Sequence, residues 1–286
     1  MIPGKGREME RWRLLEWQEV DGAFSAALDE ALLLQAASAA AMPSLRFYTW
    51  RDSWLSLGSS QPIREVDLHA CQRLGVRVVR RLSGGTATLN EHIVGFSVVI
   101  PASHRLAGRG LMDTYRMGGE ALVAGLSALE LVVEPVPSFG HTCRSQLQEC
   151  HEAERRFCFA AQSPYEVVWQ GRKLAGHAQV RRREGVIYHG LLFLAFEPRR
   201  LASLLRYEDE AEREAACRHL EARVASLGEA MARPLEAQSV AEAIATGFSL
   251  VLDVELQADR LAGDERELAL ELRKRKYATR EWTFRR

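Results

Sequence analysis

Two tight-turn signals lie within residues 165–196, and they constrain the fold more than any other feature of the sequence. Gln170-Gly171 and Arg183-Glu184-Gly185 are turn-forming residues. They separate apolar segments of strand length at 165–169, 173–181 and 186–196. Because short turns of this kind join antiparallel neighbours, the sequence predicts a three-stranded meander.

The rest of the chain alternates between strand patterns and helix patterns. Apolar residues at helical spacing predict helices over 23–40, 66–74, 112–129, 201–230, 238–250 and 264–276. Further strands are predicted at 45–50, 54–57, 76–79 and 94–100, with loops at 1–11 and 137–156. This mixture predicts an α+β fold, in which a mixed, largely antiparallel sheet is flanked by helices and followed by a short C-terminal helical extension.

Charge balance and hydropathy argue against several classes of protein. The 286 residues include 38 basic and 38 acidic ones, so the formal net charge is zero, whereas a dedicated nucleic-acid binder needs a basic excess. Apolar runs stay far below the ~20 residues that span a bilayer, and the N-terminus lacks the apolar core of a signal peptide. We therefore expect a cytoplasmic protein that binds neither nucleic acid nor a membrane.

The cysteines argue against a disulfide scaffold and against a metal site. There are five of them, an odd number without CxxC spacing: Cys71, Cys143, Cys150, Cys158 and Cys217. Cys143, Cys150 and Cys158 lie near His141 and His151, but spacings of seven and eight residues fit no common zinc pattern. Separate thiols are expected.

Three segments carry residues suited to chemistry. The glycine turn, Ser83-Gly84-Gly85, permits positive φ and close backbone approach to a ligand, although it lacks the GxxxxGK[ST] pattern of a phosphate loop. On the second strand of the meander, alternation puts Lys173, Ala175, His177, Gln179 and Arg181 on one face. This strand alone favours an ordinary solvent-facing side, and a ligand-binding face with one fixed cation is the alternative. Cys158 stands between Phe157 and Phe159 and is either a buried, inert thiol or a nucleophile activated by a cation such as Lys173.

Together these segments resemble the lipoate-protein ligase and octanoyltransferase family, which shares its fold with biotin protein ligases. Arg80-Arg-Leu-Ser-Gly-Gly85 is similar to the family's RRxSGG acyl-binding turn. Gly171-Arg-Lys-Leu-Ala-Gly-His-Ala-Gln179, followed by His189-Gly190, is similar to its GxKxxGxAQ…HG signature. The resemblance implies a biotin/lipoyl protein ligase-like catalytic domain over 12–254 and a C-terminal helical extension over 255–286.

Within the family, the resemblance is greatest to the cysteine-dependent octanoyltransferases. Cys158-Phe159 and the C-terminal motif Lys276-Tyr-Ala-Thr-Arg-Glu-Trp282 carry this likeness. It implies transfer of an octanoyl group from octanoyl-acyl carrier protein to the lysine of a lipoyl-domain protein of the glycine-cleavage H type, without metal, ATP or another cofactor. Cys158 and Lys173 would be catalytic. The residues implied to bind the acyl group are Arg80, Ser83, Gly84, Gly85, Gly176, His177, Ala178, Gln179, His189 and Gly190.

The sequence departs from the family pattern at two places, which bear on the substrate more than on the reaction class, and two other interpretations stay open. Asn90 and Glu91 stand where the family often has a His-Asp pair, and His177 replaces a small residue, which could narrow the acyl tunnel. One alternative is an ATP-dependent lipoate-protein ligase, in which Lys173 would contact the phosphate of an acyl-adenylate and Cys158 would have no role. The other, suggested by Asn90, is a non-catalytic paralogue that only binds acyl-lipoyl domains.

Overall fold

The computed structural model describes residues 9–38, 40–136 and 164–286. The strands are β1 (Glu10–Val20), β2 (Ser44–Trp50), β3 (Trp54–Leu57), β4 (Arg77–Arg80), β5 (Thr88–Asn90), β6 (Ile93–Pro101), β7 (Glu134–Pro135), β8 (Val167–Trp169), β9 (Arg172–Arg182), β10 (Gly185–Phe193) and β11 (Val254–Asp259). The helices are α1 (Gly22–Gln35), α2 (Leu68–Arg73), α3 (Leu111–Ser127), α4 (Pro198–Ala202), α5 (Glu210–Arg223), α6 (Leu227–Ala230), α7 (Ala237–Leu252), α8 (Gly263–Leu272) and α9 (Arg280–Thr283). A π-helical turn, Arg273–Tyr277, joins α8 to the segment before α9.

A large and a small sheet form the framework. The large sheet has the strand order β11-β1-β2-β6-β10-β9-β8-β7, and the small one has the order β4-β3-β5. The predicted meander is present as β8, β9 and β10, paired antiparallel. Its first turn has φ of 50° at Gln170 and 74° at Gly171, and two consecutive positive φ angles are typical of tight hairpin turns. The α+β fold predicted from the sequence is confirmed.

Helices cover both faces of the large sheet. Neighbouring residues of β6 point to opposite sides: Val98 packs in the cluster that contains α3 and α7, whereas Val99 packs with α1 and α8. Asp21 caps α1, because its carboxylate accepts a hydrogen bond from the backbone N–H of Phe24. The position of α1 over β10 matters for function, since it places polar side chains of the helix over the middle of the sheet.

Several elements differ from the prediction. Strand β1 begins at Glu10, inside the expected N-terminal loop, and β5 and β11 were not predicted. About half of the residues of β1 are polar and none of these is buried, so its alternation is weak. One of its parallel partners, β11, lies more than two hundred residues away in sequence. The helix predicted over 201–230 is divided into α4, α5 and α6, because Asp209 caps a new helix and Val224 is extended.

The C-terminal part also contains a strand. The boundary predicted at residue 254 falls at the start of β11, which pairs with β1 in the large sheet. The helical part of the predicted extension begins at Gly263. The predicted loop at 137–156 lies outside the described residues.

The crossing of α3 and α7 depends on two glycines and yields the first prediction. A Cβ at Gly247 would lie 2.1 Å from the carbonyl oxygen of Ala121, and one at Gly125 would lie 2.7 Å from the Cα of Ile244. Gly247→Ala must therefore push the helices apart, and we expect it to lower the free energy of unfolding by about 1–3 kcal/mol in urea denaturation. Gly263→Ala is the control, because nothing lies within 4 Å of its added Cβ. Equal stability of the two variants would contradict the packing described here.

Candidate active site

A cavity of about 380 Å³ lies between α1, the glycine turn and strands β9 and β10. Its wall contains most of the residues to which the sequence analysis gave a role: Gly84, Gly85, Lys173, Gly176, His177, Ala178, Gln179, His189 and Gly190. The glycine turn and the signature on β9 lie about ninety residues apart in the chain and meet at this cavity. They do so because β10 pairs with β9 and α1 covers β10.

Two predicted residues, Arg80 and Ser83, stand behind this wall. Both are buried, at 0% and 1% exposure, and neither lines the cavity. The guanidinium of Arg80 donates to backbone carbonyls on the far side of the glycine turn. Ser83 reaches the site through the hydrogen bond between its hydroxyl and His189 and by accepting a hydrogen bond from Nε of Arg81 at 3.2 Å. The predicted nucleophile, Cys158, lies outside the described residues.

Lys173 forms a buried ion pair. Its Nζ lies 2.7 Å from Oε1 of Glu166, and each residue is 2% exposed. Both line the cavity. The solvent-facing interpretation of this strand is therefore wrong for Lys173. A buried charge is tolerated when it is paired, so Glu166 can keep a cation buried in the cavity wall.

His177 is a neutral aromatic member of the cavity wall. Its ring stacks on Tyr115 with centroids 4.9 Å apart, and its Nδ1 lies 2.7 Å from the hydroxyl of Tyr188. Burial, together with the positive charge of Lys173, lowers the pKa of His177 to about 3. Burial also raises the pKa of Tyr188 well above its usual value. These three rings therefore add apolar surface without adding charge.

Asp29, on α1, links the cavity to its supports. Its carboxylate accepts hydrogen bonds at 2.7 and 3.0 Å from Arg46, and its other oxygen lies 3.0 Å from Nδ1 of His189. Burial alone would raise the pKa of Asp29, but the charge of Arg46 and the hydrogen bond from His189 lower it to about 2. Nε2 of His189 lies 2.8 Å from the hydroxyl of Ser83. One ionised carboxylate thus orients β2, β10 and the glycine turn.

Arg81, and not the predicted Arg80, is the arginine of the pair that lines the cavity. Its guanidinium donates to the carbonyls of Ser56, Gly84 and Thr86 at 2.8–2.9 Å. Adjacent residues leaving a strand point in opposite directions, so the Arg-Arg motif alone could not show which side chain faces the ligand. Asp29, Glu166, Trp50 and Tyr115 also line the cavity without a sequence signal that singled them out.

Only one residue of the unusual Asn90-Glu91 pair faces the cavity. Asn90 lines the wall and is 5% exposed, and its Oδ1 has no hydrogen-bond partner in the ranges that the structure describes. Glu91 instead accepts hydrogen bonds from Ser53 and Arg200, outside the cavity. An amide cannot titrate at neutral pH, so Asn90 can offer a ligand hydrogen bonds but no proton.

The described residues give two further findings. None of their helices has the length and apolar character needed to cross a membrane. Over the same ranges, no group of three or more His, Cys, Asp or Glu side chains is arranged to hold a metal ion.

The low pKa of His177 predicts a loss of stability in weak acid. The unfolded chain binds a proton at this imidazole near its usual pKa of about 6.5, whereas the folded protein does not bind it until about pH 3. The stability contribution is complete above pH 6.5 and declines below it. Between pH 7.5 and 5 the free energy of unfolding should fall by about 2 kcal/mol more in the wild type than in His177→Gln. His69→Gln, at an exposed site on α2, serves as the control and should keep the wild-type slope. An unchanged slope in His177→Gln would show that the imidazole protonates in the folded state.

Comparisons with known proteins agree with this geometry. The model of the lipoyl protein ligase A/B catalytic domain matches residues 21–249. The octanoyltransferase LipM of Kyrpidia tusciae is 34% identical over 278 residues, which cover 97% of this chain and 100% of that protein. The octanoyltransferase LipM of Moorella thermoacetica is 35% identical over 278 residues, with 97% and 99% covered.

A solved structure has the same fold. It comes from an archaeal lipoylation system, a bipartite lipoate protein ligase and its E2 lipoyl domain from Thermoplasma acidophilum. The two chains have a TM-score of 0.78 and 25% identity, with 97% of each covered. The resemblance drawn from the glycine turn and the β9 signature is confirmed, and the chain belongs to the lipoyl protein ligase A/B catalytic domain family.

Proposed function

We propose that the chain transfers an octanoyl group from octanoyl-acyl carrier protein to the lysine of a lipoyl-domain protein, of the glycine-cleavage H type, through a thioester on Cys158. The observation that carries this proposal is the cavity in which the glycine turn faces a buried lysine–glutamate pair. The full-length similarity to octanoyltransferases supports the acyl group and the reaction class.

The cavity suits a medium-length acyl chain. Ala26, Trp50, Tyr115 and Leu191 supply apolar surface, and Gly84 and Gly85 let the backbone approach closely. Octanoyl has six methylenes and a methyl beyond its carbonyl, and their burial contributes about 0.8 kcal/mol each, or about 6 kcal/mol before the entropy of binding is subtracted. That contribution is large enough to select by chain length.

The reaction divides into two acyl transfers. In the first, the Cys158 thiolate attacks the octanoyl carbonyl, a C–S bond forms, and the carrier's phosphopantetheine leaves as a thiolate that takes up a proton. In the second, the neutral ε-amine of the acceptor lysine attacks the new thioester, a C–N bond forms, and Cys158 leaves as a thiolate while the amine loses a proton. Because the donor is already an activated thioester, neither step needs adenylation by ATP or a metal ion.

Lys173 serves as the donor to the oxyanion in both steps. An ammonium group has three N–H donors, so it can bind Glu166 and an oxyanion together. The pair with Glu166 has no net charge, and its field falls off quickly with distance. Lys173 therefore acts through a directed hydrogen bond at the carbonyl rather than through a long-range effect on the thiol.

Intact-mass spectrometry after mixing with octanoyl-acyl carrier protein tests the thioester. Without ATP, the wild type should gain one octanoyl group, and so should Cys143→Ala and Cys150→Ala. Cys158→Ala should gain none, because it lacks the nucleophile.

Three outcomes would contradict this proposal. An adduct that survives in Cys158→Ala would place the acyl group elsewhere. Transfer that appears only with ATP and magnesium would favour the ligase. Binding of the acyl carrier without any adduct or product would favour the non-catalytic paralogue.

Lys173 gives the kinetic prediction. Loss of a preorganised oxyanion donor typically lowers the rate by roughly 10²–10³-fold. We expect a decrease of that size in the single-turnover acylation rate of Lys173→Ala. Lys173→Arg should also be slow, since a guanidinium is wider and planar.

The burial of Lys173 changes the control that this test needs. Its removal takes the cation away from the buried Glu166 carboxylate, a change that typically costs about 3–5 kcal/mol, so Lys173→Ala is expected to lose stability as well as rate. Lys173→Met/Glu166→Gln removes both charges and should recover stability without recovering rate. If this double variant acylates at the wild-type rate, Lys173 is not the oxyanion donor.

A further inference from the structure

The C-terminal motif Lys276–Trp282 lies behind the glycine turn and not in the cavity. Nζ of Lys276 and the hydroxyl of Tyr277 both donate to the carboxylate of Glu30 on α1, at 2.7–2.8 Å. The indole N–H of Trp282 donates to the carbonyl of Arg80 at 2.8 Å. No residue after Leu191 is among the lining residues in the part of the chain that the structure describes.

Arg80 joins this C-terminal segment to a second loop. Its Nε donates to the carbonyl of Thr283 at 3.0 Å, and its Nη1 donates to the carbonyls of Gly58 and Gln61, at 2.7 Å each. One guanidinium therefore connects α9 with the loop 58–61. We call Arg80 and residues 276–283 the C-terminal brace.

The loop 58–61 in turn touches the glycine turn directly. The backbone N–H of Ser59 donates to the carbonyl of Ser83 at 2.8 Å. A Cβ at Gly58 would lie 1.7 Å from the carbonyl oxygen of Gly85, so only glycine allows this approach. With backbones this close, a shift of the loop must move Gly84 and Gly85, which line the cavity.

Burying the Arg80 guanidinium costs free energy of folding, so packing alone does not explain its presence at this position. The side chain is fully buried, and its hydrogen-bond partners within the described ranges are backbone carbonyls rather than carboxylates. Its Nη2 has no hydrogen-bond partner in those ranges. Burial, with the charges of Arg285 and Arg286, lowers the pKa of Arg80. A buried cation held only by carbonyl dipoles destabilises the folded state, so an apolar side chain would fill this place better if packing were its only role.

We propose that the C-terminal brace positions the glycine turn for the acyl group, with Arg80 and Trp282 as positioning residues that do not touch the substrate. The indole of Trp282 holds the backbone of Arg80, and the guanidinium of Arg80 holds the loop 58–61. This loop in turn contacts Ser83 and Gly85. The proposal rests on the proposed function, in which the acyl chain lies against Gly84 and Gly85. It assigns to Arg80 a role different from the direct acyl contact that the family resemblance implied.

Trp282→Phe and Arg80→Lys test the brace. Trp282→Phe removes the N–H donor and keeps an aromatic ring beside Tyr277. Arg80→Lys places all donors on one nitrogen, which cannot reproduce the separate contacts of Nε and Nη1. In single-turnover acylation, we expect the half-saturating concentration of octanoyl-acyl carrier protein to rise about 5–10-fold in each variant, the size that fits loss of a buried hydrogen bond. The limiting rate should stay within about twofold, because Lys173 is untouched. Trp17→Phe and Arg275→Gln, an indole and a cation outside the brace, should behave as wild type.

Amide hydrogen exchange of the unliganded protein makes the test independent of catalysis. Faster exchange should be confined to residues 58–61 and 83–86, with β9 and β10 unchanged. If the wild type fails to transfer octanoyl at all, the proposed function fails while the exchange result still decides the brace. Unchanged exchange and unchanged half-saturation in both variants would overturn the proposal. So would faster exchange throughout the protein, which indicates general destabilisation, or an effect of Arg80→Lys without any effect of Trp282→Phe.

Discussion

The ionised carboxylate of Asp29 is the interaction on which the site depends. It lies on α1, binds Arg46 of β2 with one oxygen and His189 of β10 with the other, and through His189 it reaches the hydroxyl of Ser83. A buried carboxylate is costly unless its hydrogen bonds are satisfied, and these partners lower its pKa to about 2 despite burial. The helix, two strands of the large sheet and the glycine turn therefore have one mutual arrangement in which this charge is satisfied.

Around that anchor, the cavity separates apolar surface from charge. The stacked rings of Tyr115 and His177 stay neutral, so they can pack against a hydrocarbon chain. The charged groups of the wall are held by protein partners: Asp29 binds Arg46 and His189, Arg81 donates to backbone carbonyls, and Lys173 pairs with Glu166 and can donate to a substrate carbonyl. This arrangement fits an acyl thioester, because its long apolar tail needs apolar contacts and its single reacting carbonyl needs a hydrogen-bond donor.

The sequence predicted the elements whose signals lie within a few neighbouring residues. The meander followed from turn residues and strand lengths, and Trp54–Leu57 from a short apolar run, because each signal lies within a few residues. Strands β1 and β11 were missed, since their parallel pairing joins residues more than two hundred positions apart. Strand β5 has only three residues, too few for a periodic signal.

The same limit applied to the site. The motifs identified Lys173, His189 and the two glycines, but alternation alone could not show that Lys173 is buried or that Glu166, across the β8–β9 hairpin, is its partner. Nor could it distinguish Arg81, which lines the cavity, from Arg80, which faces the C-terminal segment. Those assignments depend on which side of a strand meets a distant element, and only the assembled fold decides that.

A crystal structure of the octanoylated protein would show directly where the acyl chain and its carbonyl lie. We expect the acyl chain to fill the cavity against Gly84 and Gly85, with its carbonyl oxygen within hydrogen-bond distance of Nζ of Lys173 and the thioester on Cys158. An acyl chain outside this cavity, or a carbonyl that points away from Lys173, would contradict this expectation.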